Sequence, residues 1–120
     1  MPVILVVEDH EDTLELIAEM LRRLNYEVRT AATAAEAFRS AEVHRPDAVL
    51  LDIKLPDTSG ISGLDELRKL LPMVPIIMVT ANTDAGIARD TLKRGAFDYI
   101  TKPFDIVRLK TVLETALARP

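Results

Sequence analysis

Three short runs of this chain are apolar at every position: Val3 to Val7, Ala48 to Leu51, and Ile76 to Val79. A strand covered on one side alternates apolar and polar residues. A run without alternation is covered on both sides, as in a parallel sheet between two layers of helices. Each run stops at polar residues: Glu8 and Asp9 after the first, Asp52 after the second, Thr80 after the third. Pro46 and Pro56 bracket the middle run and argue against a helix through it. In open α/β sheets the rim outside the carboxyl ends of the strands is where ligands bind, so these polar residues stand where chemistry is expected.

Between the runs the period becomes helical. From Asp12 or Thr13, the residues Leu14, Ile17, Ala18, Leu21 and Leu24 form one stripe, and Asn25 is the expected stop. Tyr26 to Thr30 alternates, as an edge strand does. Thr33, with Glu36 three residues on, has capping-box spacing and opens a helix with Ala34, Ala37, Phe38 and Ala41 on its apolar side. A loop with Pro56, Asp57, Ser59 and Gly60 leads to a helix carrying Ile61, Leu64, Leu67 and Leu71, which ends at Pro72. Asp84 is the expected cap of a helix with Ile87, Ala88, Thr91 and Leu92 inward, stopped by Gly95. Ala96 to Ile100 reads as a fifth strand, followed by Thr101, Lys102 and Pro103. The last helix is expected over Phe104 to Leu117, with Ile106, Leu109, Val112, Leu113 and Ala116 inward.

This alternation defines an α/β fold, a doubly wound five-stranded parallel sheet of the flavodoxin-like (βα)5 kind. Right-handed crossovers with helices on both faces favour the strand order 2-1-3-4-5. In that order, strands 1, 3, 4 and 5 carry Glu8, Asp9, Asp52, Thr80 and Lys102 to one rim.

The 120 residues, 48% of them hydrophobic, suit one domain spanning residues 1–120. The net charge of -4, with both signs spread along the chain, offers no basic face for direct nucleic-acid binding. Cysteine is absent, which excludes disulfides and thiolate metal sites and leaves the cytoplasm as the default location. The apolar start, Met1 to Val7, has no basic leader and meets acids too soon for a signal peptide or a membrane span.

Three carboxylates drawn together repel unless a cation compensates. Glu8, Asp9 and Asp52 therefore suggest a hydrated Mg²⁺ site, completed when a phosphoryl group arrives. Lys102 offers a compact cation and Thr80 a hydroxyl donor for the oxygens of a transferring phosphoryl group. A carboxylate oxygen would be the nucleophile.

The acid pair Glu8 and Asp9, then Asp52, Thr80, and Lys102 followed by Pro103 resemble the receiver domain of two-component response regulators. The likeness covers essentially the whole chain, including Asp52 to Pro56 with Gly60 beyond, and Gly95 to Tyr99 leading to Lys102, Pro103 and Phe104. It implies that Asp52 is the phosphoacceptor. Asp9 would bind Mg²⁺ directly, Glu8 largely through water, and Lys54 through its backbone carbonyl. Glu8 is a common variant of the family's more frequent aspartate. Thr80 and Lys102 would contact phosphoryl oxygens, Tyr99 would be the switch aromatic, and Pro103 would follow Lys102 through a cis bond. The implied partners are a sensor histidine kinase or a histidine phosphotransfer protein. An output domain, an effector or a second copy would meet the face of helix four, strand five and helix five. The chain is then either a stand-alone receiver or the N-terminal part of a longer regulator. Lys54 and Asn82 flank the expected phosphoryl position and would tune its lifetime.

Each residue also has a plainer reading. Asp52, Glu8 and Asp9 could cap turns or helices, Thr80 could end a strand, Lys102 could be a solvated charge, and Tyr99 could be half-buried packing. His10 reads as a solvated loop residue, and His44 is assigned no role. A flavin mononucleotide module would need phosphate-binding hydroxyls and amides where Glu8 and Asp9 stand. A phosphoaspartate hydrolase of the haloacid dehalogenase type would need an acid where Lys54 stands. A receiver-like binding module freed from phosphorylation would have lost Asp52, Asp9 or Lys102, and all three are present.

Overall fold

The structure, a computed structural model, describes residues 1–81 and 85–118. In chain order it contains β1 (Val3–Val7), α1 (Glu11–Arg23), β2 (Glu27–Ala31), α2 (Ala34–Val43) and β3 (Ala48–Asp52). These are followed by α3 (Gly60–Leu70), β4 (Ile76–Ala81), α4 (Ala85–Lys93), β5 (Asp98–Lys102) and α5 (Ile106–Leu117). The strands pair only in parallel, in the order β2-β1-β3-β4-β5, as expected.

The absence of alternation in the central strands now has its cause. Ile4, Val6, Leu50, Ile77 and Val79 point to one face, where Ile17 and Leu21 of α1 and Leu109, Val112 and Leu113 of α5 cover them. Leu5, Val7, Val49, Leu51, Ile76 and Met78 point to the other face, against Ala37 and Ala41 of α2 and Leu64 and Leu67 of α3. Fully burying such a side chain contributes about 1.5–3 kcal/mol. Any polar residue in the middle of these strands would therefore be costly on either face, and polar groups appear only at or next to their ends.

Two helix stops read in the sequence have Schellman geometry. Asn25 has a φ of 67°; its N–H donates to the Arg22 carbonyl, and the Tyr26 N–H donates to Leu21. Gly95 has a φ of 104°; its N–H donates to Leu92, and the Ala96 N–H donates to Thr91. That closure shifts β5 from the expected Ala96 to Ile100. The Ala96 N–H is spent on α4, so the strand begins at Asp98 opposite Ile77 and follows β4 as far as Lys102 opposite Ala81. Thr80 accordingly lies inside β4 rather than after it. The edge strand β2 is likewise displaced by one residue from Tyr26 to Thr30.

The last helix starts later than Phe104, because the Asp105 side chain accepts the Arg108 N–H at 2.9 Å and acts as N-cap. On α4, Ala88 and Thr91 are buried as expected, but Leu92 is exposed. The expected Asp84 cap lies outside the described residues, as does Asn82.

The N-terminus of α2 is closed by residues distant in sequence. Thr33 Oγ1 accepts the Glu36 N–H at 3.1 Å, while the Glu36 carboxylate accepts from Ala32, one residue before the position the capping box specifies. The remaining N–H groups of Ala34 and Ala35 donate to Asp57 Oδ1 and Oδ2 at 2.9 and 3.0 Å. Asp57 thereby pins the loop after β3 to α2.

Candidate functional site

Parallel pairing places the carboxyl ends of β1, β3, β4 and β5 along one rim. Glu8 follows β1, Asp52 is the last residue of β3, and Lys102 the last of β5. Lys102 Nζ donates to Glu8 Oε1 at 2.7 Å and to Asp52 Oδ2 at 3.3 Å. Both acceptors are deeply buried, Glu8 at 1% and Asp52 at 5% exposure. The other Asp52 oxygen, Oδ1, accepts the Lys54 N–H at 3.1 Å. Lys54 also forms an isolated bridge with Ser59, which closes the loop back on itself.

Burial sets the electrostatics. It pushes the Asp52 carboxyl up to about 6, aided by the neighbouring Glu8 carboxylate and only partly opposed by the Lys54 N–H and the Lys102 ammonium. Burial acts the same way on Glu8, but the Lys102 ammonium and the His10 N–H outweigh it and hold that carboxyl below the ordinary range. Burial would lower Lys102, yet Glu8 and Asp52 together raise it. At neutral pH the rim therefore carries an ionised Glu8, a mostly ionised Asp52 and a charged lysine.

Asp9 is about one-third exposed and joins the group through His10, whose Nδ1 lies 3.4 Å from Asp9 Oδ1 and 3.4 Å from Glu8 Oε2. The compact ligand set among the described residues is Glu8, Asp9 and His10, with atoms within 4.8 Å of one another. The expected set is Glu8, Asp9 and Asp52 with the Lys54 carbonyl. Asp52 lies beside the Glu8 carboxylate and shares Lys102 with it. His10 was read as solvated; its side chain is exposed, but it stands against both acids. Its place directly after the acid pair was the only sequence signal for this.

Thr80 is buried, and its hydroxyl donates to the Ala81 carbonyl at 3.3 Å, along its own strand. Tyr99 is half-buried against the α2 and α3 side of the core, and its carbonyl accepts from Arg108 at 3.1 Å. The Lys102–Pro103 peptide is cis. A groove of about 350 Å³, lined by Leu16, Ile17, Met20 and Phe104, runs beside Lys102. A larger cleft of about 730 Å³, among Arg45, Arg68 and Pro75, lies at the opposite rim where strands begin, and holds none of these groups.

Three carboxylates set against one ammonium leave a site with surplus negative charge and oxygen donors. Burial and Glu8 together raise the Asp52 carboxyl in spite of Lys102. This donor set fits a divalent cation.

Comparison with known proteins agrees with this fold. The family model of the response regulator receiver domain matches residues 4–114. The transcriptional regulatory protein KdpE of Mycobacterium tuberculosis is 40% identical over 119 residues, covering 99% of this chain and 52% of KdpE. The chain thus spans about half the length of that relative. The crystal structure of the receiver domain of NtrX from Brucella abortus superimposes with a TM-score of 0.94 at 37% identity, covering 98% of this chain and 99% of that one. The receiver domain of the sensor histidine kinase PA1611 from Pseudomonas aeruginosa, with magnesium coordinated in its active-site cleft, gives 0.89 at 38% identity and covers 98% of both chains. With the five-stranded order, the acid rim and the family match in agreement, the chain belongs to the receiver domains of two-component response regulators.

Proposed function

We propose that Asp52 is the phosphoacceptor, taking a phosphoryl group from a phosphohistidine on a sensor histidine kinase or a histidine phosphotransfer protein. The observation that carries this reading is the Lys102 ammonium held between Glu8 and Asp52 at the rim. An Asp52 oxygen bonds to phosphorus as the bond to the donor's imidazole nitrogen breaks, and that nitrogen keeps the electron pair. Charge spreads over the equatorial oxygens during transfer, so catalysis is mainly positioning and charge stabilisation. Lys102 supplies a cation, Thr80 a hydroxyl, and the Lys54 N–H fixes the carboxylate orientation. Mg²⁺ bound by Asp9 and Asp52, by Glu8 through water and by the Lys54 carbonyl would neutralise charge on the phosphoryl oxygens.

The domain acts on itself rather than on a separate substrate, and water later removes the phosphoryl group. A protein donor approaches over the groove beside Lys102, where Leu16 is 55% exposed. Thr80 and Tyr99 relay the added charge to the face of α4, β5 and α5, where an output domain, an effector or a second copy binds. By likeness to KdpE, the output is control of transcription, from the cytoplasm and through a domain other than this acidic one.

Incubation with Mg²⁺ and acetyl phosphate, followed by intact mass, tests the reading. Wild type gains one phosphoryl group and Asp52→Asn gains none. An unmodified wild type would favour a binding module freed from phosphorylation, and a modified Asp52→Asn would move the acceptor elsewhere.

A further inference from the structure

Resting on the reading of this rim as a divalent-cation site, we propose that His10 is a nitrogen donor to it and shifts its preference from Mg²⁺ toward transition-metal ions such as Co²⁺ and Zn²⁺. His10 occupies the N-cap position of α1, yet its side chain caps nothing there. The ring is turned to the acids, with Nδ1 3.4 Å from Glu8 Oε2 and 3.4 Å from Asp9 Oδ1. Lys102 holds Glu8 Oε1, so the two oxygens of Glu8 are divided between the lysine and the histidine side.

Neighbouring donors on an octahedral ion with bonds of about 2.1 Å are about 3 Å apart. The 3.4 Å between Nδ1 and Asp9 Oδ1, the direct ligand of that reading, needs only a small closure, and the ring, 73% exposed, is free to make it. Glu11 and Asp12 in the first turn of α1 offset the positive end of that helix, which would otherwise repel a cation.

Mg²⁺ is a hard ion that takes oxygen ligands and keeps its water, so an imidazole adds little to its binding. Imidazole suits Co²⁺ and Zn²⁺, whose affinity for mixed nitrogen and oxygen sites exceeds that of Mn²⁺. His10 would thus set selectivity among divalent ions.

The test is calorimetric titration of wild type and His10→Ala with Co²⁺ and with Mg²⁺, beside imidazole ¹⁵N spectra taken with Zn²⁺. The variant should lose roughly tenfold or more in Co²⁺ affinity and much less in Mg²⁺ affinity. Zn²⁺ should shift the His10 ring nitrogens and leave those of His44, the only other histidine, in place. Equal losses for both metals, no loss for either, or equal shifts at both histidines would overturn the assignment. Acetyl phosphate labelling of the same samples separates the two readings. An unlabelled wild type with the metal preference intact defeats the phosphoacceptor assignment alone; normal labelling with no His10 effect defeats this one alone.

Discussion

Asp52 and Asp57 lie five positions apart, flank the same loop and have opposite fates. Asp52 ends β3 inside the fold, and burial beside Glu8 raises its carboxyl to about 6. Asp57 sits in solvent, and the N–H groups of Ala34 and Ala35 lower its carboxyl. The first is a charge the fold holds at a cost; the second is a charge that ties the fold together. The loop between them is thus anchored at one end by a favourable contact and ends at the other on an unfavourable one. A buried carboxylate can be held in place because its neighbourhood is secured elsewhere.

Three variants probe this contrast, in order of expected effect. Asp52→Asn, in metal-free buffer at pH 8, should stabilise the domain by up to about 3 kcal/mol, given about 1.4 kcal/mol per pKa unit and a shift from 3.8 to about 6. The sign follows from linkage. A carboxyl raised by folding carries no penalty below its unfolded value, and the penalty grows as pH rises through 6. The gain measured by urea titration should therefore shrink toward pH 4, and a gain independent of pH would refute the electrostatic origin.

Lys102→Ala should cost about 2 kcal/mol at pH 7. That is less than the full loss of a buried partner, because the lysine side chain is 29% exposed and water takes part of its place. The cost should fall in an Asp52→Asn background, and strict additivity in that double-mutant cycle would deny the coupling. The same variant should keep some phosphorylation while uncoupling it from the output face, read as unchanged chemical shifts around Tyr99.

Asp57→Ala should lower Tm by less than Asp52→Asn raises it. Here the folded value is depressed, so the stabilisation is present above the ordinary carboxylate range and is lost as pH falls through the folded value. Wild type and variant should converge in acid; a gap that widens there would be the contrary result.

Much of this fold was legible because burial on both faces suppresses alternation, and Val3 to Val7 and Ala48 to Leu51 can hardly be read otherwise. Boundaries were less so. The limits of β5 depend on the Ala96 N–H being spent on α4, a hydrogen bond no residue pattern announces. The role of Asp57 was invisible for a related reason: it caps a helix 22 and 23 residues upstream, and capping rules look only three or four residues ahead. At the rim, residue types and strand ends pointed to Glu8, Asp52 and Lys102. Their division was not legible: Glu8 takes the shorter contact with the lysine, and His10 stands against both Glu8 and Asp9.

The contact between Lys102 and Glu8 joins positions 94 apart in the chain. Their meeting requires β3 and β4 to lie in place between β1 and β5. A chain emerging from synthesis thus holds Glu8 and Asp52 long before the lysine that meets them. The rim is assembled only when the last strand joins the edge of the sheet, and an unfinished molecule carries its buried acids without their lysine.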